Sequence, residues 1–173
     1  KKPRRFRGVN PCPYSLRLSI PFFFANLRPS RHLMNYWLVK TEPGEFSWND
    51  LLRDQKATWD GVRNYQARNN LRGMKNGDAV LVYHSQEEKQ VRGIAEVIRE
   101  SFPDPTTSDE RWLAVEIRPT KELKKPVHLS RIRSSPALAG ILLVRNSRLS
   151  VMPLVKSEFD EILKIAEEDS RGS

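Results

Sequence analysis

Asn76-Gly77-Asp78-Ala79-Val80-Leu81-Val82-Tyr83-His84 is the stretch from which the fold can be read. Asn-Gly-Asp is a strong turn signal. The six residues after it are apolar on both faces, whereas a strand with one wet face alternates. The run therefore predicts a central strand entered from a tight turn.

Reading toward the N-terminus, Asn64–Met74 predicts a helix, with Ala67, Leu71 and Met74 at i, i+4 and i+7 on one face. Ala57-Thr58-Trp59 predicts a short strand entering the Asp60-Gly61 turn. Ser47 with Asp50 three residues on forms a capping box for a short helix that turns Leu51 and Leu52 inward. Tyr36-Trp37-Leu38-Val39-Lys40 predicts a buried first strand ahead of Glu42-Pro43-Gly44. Toward the C-terminus, the polar loop Gln86–Gln90 returns the chain into a long strand over Val91–Phe102. Pro103–Asp109 is an exposed loop by composition. Trp112–Arg118 alternates with Leu113, Val115 and Ile117 on one face, and Val127–Leu129 is a candidate short strand. Residues 135–144 are ambiguous between helix and strand. Leu149–Leu154 is a last strand, and Ser157 caps a terminal helix carrying Phe159, Ile162, Leu163 and Ile165. Short strands interleaved with small helices predict an α+β fold, a partly closed mixed β-barrel with short helices packed at its ends.

The formal net charge is +9, which points to nucleic acid or an anionic surface. Its distribution divides the chain. Eight of the 30 basic residues and none of the 21 acidic residues lie before Met34, leaving 22 against 21 in the body. Residues 1–33 also hold five of the 12 prolines, which break any continuous helix. A transit peptide, a basic import or phosphate-binding patch at Lys1-Lys2-Pro3-Arg4-Arg5, and a non-native or disordered leader ahead of an initiator at Met34 all compete. The last is the preferred reading, so residues 34–173 are taken as one domain. No apolar run approaches the ~18 residues that cross a bilayer. Cys12, the single cysteine, lies in the leader, and the body has only His84 and His128 as imidazoles. A disulfide framework, a cysteine-held metal and a His-rich centre are thereby excluded, and no cofactor is expected.

Four segments carry more polar chemistry than a core needs. Lys40 ends a buried strand, where a lysine either snorkels to solvent or meets an anion or carbonyl in a cavity. In Trp59-Asp60-Gly61-Val62-Arg63-Asn64-Tyr65-Gln66-Ala67-Arg68-Asn69, Asn64 is a natural N-cap. That cap leaves Asp60, Arg63, Gln66, Arg68 and Asn69 unexplained beside two aromatic plates, the surroundings a planar polar heterocycle needs. Tyr83-His84-Ser85 closes the central strand. Strand neighbours point to opposite faces, so a Ser–His catalytic pair is disfavoured there. A strand-end cluster contacting a ligand and a satisfied core histidine both fit. Arg145-Asn146-Ser147-Arg148-Leu149-Ser150-Val151 suits phosphate contacts or a solvated loop equally.

In this order, Trp37–Pro43, Trp59–Asn69, Gly77-Asp78 leading to Tyr83-His84-Ser85, and Arg148–Val151 resemble the EVE domain family, a branch of the PUA-like barrels. The resemblance covers Met34 to Glu168, and its most specific part is the eleven residues from Trp59. It implies a PUA-like fold with a pocket for a modified nucleobase, modified cytosine in DNA being the usual proposal. Trp59 and Tyr65 would then wall the base, with Trp37, Val62, Ala67 and Tyr83 completing the pocket. Lys40, Thr41, Asn64, Asn69, His84 and Ser85 would hydrogen-bond the base, while Arg63, Arg68, Arg145 and Arg148 would meet phosphates. Thr41 stands where the family usually has serine, and its extra methyl group narrows the pocket. The expected function is a monomeric, non-catalytic reader of modified bases such as 5-methylcytosine, with no membrane partner. Its place would be cytoplasmic in a prokaryote or nuclear in a eukaryote, and not secreted. An RNA-binding PUA-like module and an enzyme using His84 as general base are the alternatives.

Overall fold

The structure is a computed structural model and describes residues 33–171. All of the leader except Leu33 lies outside the described residues, and with it the expectation for residues 1–32. Six strands form one mixed sheet: β1 (Tyr36–Thr41), β2 (Ala57–Trp59), β3 (Ala79–His84), β4 (Gln90–Pro103), β5 (Leu113–His128) and β6 (Val151–Leu154). Their order is β2-β5-β4-β3-β1-β6. Five helices accompany them: α1 (Trp48–Asp54), α2 (Tyr65–Gly73), α3 (Leu129–Ser134), α4 (Leu142–Arg145) and α5 (Lys156–Arg171).

The apolar run after the Asn-Gly-Asp turn is an interior strand. β3 pairs parallel with β1, from Tyr36↔Ala79 to Thr41↔His84, and antiparallel with β4. A parallel pair needs a crossover of a dozen residues or more, and here α1, β2 and α2 form it. Asp78, ahead of β3, is fully buried. Its carboxylate accepts from the Trp37 indole (2.8 Å), the Asn35 amide (2.9 Å) and the Lys75 amide (2.8 Å). This tie fastens the start of β1 to the turn at Gly77, whose φ of +90° suits glycine.

β4 and β5 are long and slip register four times along their pairing. Such bulges add bend and twist, so a single sheet curls. α2 touches β4 and β5 and also β6, where Asn70 Nδ2 donates to the Val151 carbonyl (2.7 Å). β5 and β6 are four strand spacings apart, about 19 Å if flat, so the curl wraps them toward one short helix. The sheet nevertheless stays open, with β2 and β6 as its edges. Trp37 lies against Gly73 of α2, while Tyr36 packs on Phe159 of α5 at 4.7 Å. Strand neighbours face opposite sides, so the two helices cover opposite faces of β1.

Several local expectations change. Val127-His128 belongs to the end of β5, and residues 135–144 are helical, a 3-10 turn at Pro136–Leu138 followed by α4. The terminal helix begins at Lys156, before Ser157, and the Glu158 carboxylate caps it by accepting from the Val155 amide at 3.0 Å. The loop after β4 is not wholly exposed, since Asp104 is only 2% exposed. Ser47 and Asp50 do form the capping box of α1, and Trp48 and Leu51 are the residues it buries.

Candidate functional site

Parallel strands bring their C-terminal ends to one rim, the usual place for a ligand crevice in sheets with parallel strands. Here Lys40 and Thr41 end β1, and Ser85 and Gln86 follow β3. Between this rim, the Glu42–Phe46 turn, the Thr58–Asn64 segment and Ser147–Ser150 lies a cavity of about 760 Å³. That is the size of a small-molecule site.

The rim is stitched by its own hydroxyls. Ser85 donates to the Thr41 carbonyl through both its amide (2.8 Å) and Oγ (3.0 Å), and Thr41 Oγ1 donates to the Phe46 carbonyl (2.7 Å). Each hydroxyl has one proton, so both can only accept from a ligand. Lys40 Nζ donates to the Ser147 carbonyl at 3.0 Å, and burial lowers its pKa. Its two remaining donors are available at the cavity wall.

The opposite wall is built by β2 and the turn into α2. Trp59 is 8% exposed and meets Phe46 edge-on, with centroids 6.4 Å apart at 83°. Val62 completes this apolar corner. Asn64 Oδ1 caps α2 by accepting from the Ala67 amide (3.0 Å), as the sequence predicts. Its Nδ2 has no partner among the described residues. Asp60 also lines the cavity, and no other described residue hydrogen-bonds its carboxylate. Burial and then the charge of Asp104 raise its pKa, while its own amide and Arg63 oppose the rise. The wall is held from behind. The Asp104 carboxylate accepts from the Gly61 amide (3.0 Å), Arg63 Nη1 (2.6 Å), and the Thr106 amide (2.8 Å) and hydroxyl (2.6 Å). Burial pushes Asp104 upward, but these donors outweigh it and hold the carboxyl at about 2.

Of the residues the sequence nominates, Lys40, Thr41, Trp59, Val62, Arg63, Asn64, Ser85 and Arg148 line the cavity. The others do not. Trp37 is spent on Asp78, and Ala67 and Tyr83 are in the core. Tyr65 and Asn69 lie on the exposed surface of α2, with Arg68 over the Tyr65 ring. Arg145 is exposed at the end of α4, away from the lining.

His84 is 2% exposed, with both ring nitrogens occupied. Nε2 accepts from the Trp48 amide (2.8 Å), so the proton resides on Nδ1, 2.7 Å from the Glu88 carboxylate. It satisfies one of the orphan amides at the start of α1 and offers no free nitrogen to a substrate. Among the described residues no cluster of His, Cys, Asp and Glu could hold a metal, and no helix is long and apolar enough to cross a membrane.

Sequence reasoning did not nominate Asp60, Phe46, Ser147, Leu149 or Ser150 as pocket residues, and it gave Arg148 only as a phosphate contact. The signal for Asp60 was its place among the unexplained polar groups beside Trp59. Phe46 was detectable only as an aromatic isolated in a polar turn.

The EVE domain model matches residues 35–165. Human thymocyte nuclear protein 1 is 31% identical over 173 residues, an alignment that takes in 80% of this chain and 77% of that protein. A crystal structure of a protein from Agrobacterium tumefaciens is 42% identical, with a TM-score of 0.74 over 76% of this chain and 92% of its own. The human THYN1 protein, crystallised in complex with 5-methylcytosine-containing DNA, is 31% identical, with a TM-score of 0.72 over 77% of this chain and 98% of its own. The architecture they share is PUA-like. The family model spans nearly the whole described chain, and on that match the chain belongs to the EVE domain family.

Proposed function

We propose that this chain is a non-catalytic reader of modified cytosine in DNA, which takes the flipped base into the cavity between β1, β3 and the Trp59–Asn64 wall. The observation that carries the reading is the pairing of unspent polar groups with an apolar corner. Asp60 offers acceptor oxygens, and Asn64 Nδ2 and Lys40 Nζ offer donors, beside Trp59, Phe46 and Val62. Cytosine presents an N4 amino donor to a carboxylate, a known pairing, and ring acceptors to the two nitrogens. A 5-substituent has the apolar corner to enter. The 5-methylcytosine DNA complex of the human relative supports the same ligand class.

Extruding a base costs a few kcal/mol, and aromatic contact returns roughly 1–3 kcal/mol. Burying one added methyl group is worth about 0.8 kcal/mol, roughly a four-fold preference. The test is fluorescence anisotropy with the full chain and matched oligonucleotides bearing cytosine, 5-methylcytosine or 5-hydroxymethylcytosine, as DNA and as RNA. The charges of the leader act on all DNA probes alike, so the ratio between them isolates the cavity. A several-fold preference for one modified DNA, lost in Trp59→Ala, is the expected result. Equal affinities throughout would sink the reading, and a preference confined to RNA would replace DNA by RNA as the ligand.

A further inference from the structure

Tyr65, nominated from the sequence as a pocket wall, stands outside the cavity on a second aromatic surface. Tyr65 is 55% exposed, the one aromatic among the exposed large apolar residues of those described. It stacks on Trp112, centroids 5.1 Å apart at 29°. The Arg68 guanidinium lies 5.1 Å from the Tyr65 centroid, and that of Arg63 lies 5.5 Å from Trp112. Arg63 is also a cavity wall, clamped by Asp104, and Asn64 at the cavity directly precedes Tyr65. The Arg63–Tyr65 segment thus joins the cavity wall to the Tyr65 half of the shelf.

On the α2 side of this shelf the charge is one-sided, while on the Trp112 side Asp109 is bound by Arg111. Val62–Gly77 contains Arg63, Arg68, Arg72 and Lys75 and no acidic residue. Arg63 pairs with Asp104 and Lys75 with Glu100, whereas Arg68 and Arg72 have no carboxylate partner among the described residues. An exposed cation–π contact is worth roughly two- to five-fold in an equilibrium constant. Stacking a nucleobase on an aromatic ring is worth roughly five- to 150-fold. A base can therefore displace Arg68 from Tyr65 and leave the guanidinium free for a phosphate, its planar fork being suited to that contact.

We propose that the Tyr65–Trp112 shelf is a second nucleotide subsite. It holds an unpaired base one or two nucleotides from the one in the cavity, on the same strand, with Arg68 and Arg72 on the intervening phosphates. This rests on the cavity's being the modified-base site. The shelf itself is blind to the modification, because stacking accepts any base.

The test uses the full chain and single-stranded DNA probes carrying one 5-methylcytosine, with the flanking positions either natural or abasic on each side in turn. Tyr65→Ala is expected to weaken binding to the natural probe by roughly five- to 20-fold, to leave the preference for 5-methylcytosine over cytosine unchanged, and to retain the wild-type melting temperature. Tyr65→Phe should bind like wild type. An abasic site on one side should reproduce the loss in wild type, with no additional loss in Tyr65→Ala. Wild-type affinity in Tyr65→Ala, or an equal loss on natural and abasic probes, overturns the subsite. If Trp59→Ala keeps the modification preference while Tyr65→Ala loses affinity, the cavity reading fails and the shelf stands as a simple stacking surface.

Discussion

Asp60 and Asp104 repel each other across the Gly61 turn, and their surroundings send them opposite ways. Four donors hold Asp104 at about 2, whereas Asp60, with its own amide as its hydrogen-bond donor, is pushed up by burial and by its neighbour. One is therefore a fastening and the other is available to a ligand. Asp60→Asn should cost about ten-fold in affinity for cytosine-bearing probes, within the ~1–3 kcal/mol of a good base contact. Its melting temperature should hold or rise, since the repulsion is removed. Asp104→Ala should instead lose about 2–4 kcal/mol of stability in urea titrations, by stranding the Gly61 amide, Arg63 and Thr106. The folded carboxyl sits below the unfolded value of ~3.9, so its contribution is complete above about pH 4. It is lost as the pH falls toward 2. The acid limb of the stability profile should accordingly flatten in Asp104→Ala.

At the level of elements, α1 is fixed by two long-range contacts. Its capping box is local, but its direction is set by β3 and β4. His84 receives the Trp48 amide, and the Trp48 ring lies directly over Gly93. A Cβ at position 93 would come within 2.2 Å of that ring, far inside contact distance. Gly93→Ala must push Trp48 away while His84 still holds its backbone, so overpacking of about 3 kcal/mol or more is expected. Chemical denaturation should show it as a lower midpoint at unchanged slope. The strand ends matter for a related reason. Ser85 and Thr41 spend their protons closing the rim, so toward a ligand each can only accept, whereas Lys40 and Asn64 can donate.

Across the whole molecule, the body is nearly neutral and the charge is concentrated in residues 1–33. Removing those residues should flatten the salt dependence of duplex binding by roughly 0.9 for each phosphate that the leader neutralises and leave the ratio between modified and unmodified probes unchanged. Measuring Kd at several salt concentrations for both chains checks this. A change in that ratio would show that the leader takes part in selectivity.

Most strands, the helices α1, α2 and α5, the caps at Ser47 and Asn64 and the turn at Gly77 are legible in sequence because each depends on residues a few positions apart, whereas α3, α4 and the far half of β5 are not. The family was legible too, through the run from Trp59 to Asn69. The sequence could not reveal which polar groups remain unspent. Trp37 meets Asp78 across 41 positions, His84 meets Trp48 across 36, and Arg63 meets Asp104 across 41. Each pairing withdraws or fixes a side chain that local pattern leaves open. Sequence by itself determined most of the elements and the family. The tertiary structure decided that Asp60 faces the cavity, that His84 is a strut and that Tyr65 lies outside, because hydrogen-bond satisfaction is a property of long-range neighbours.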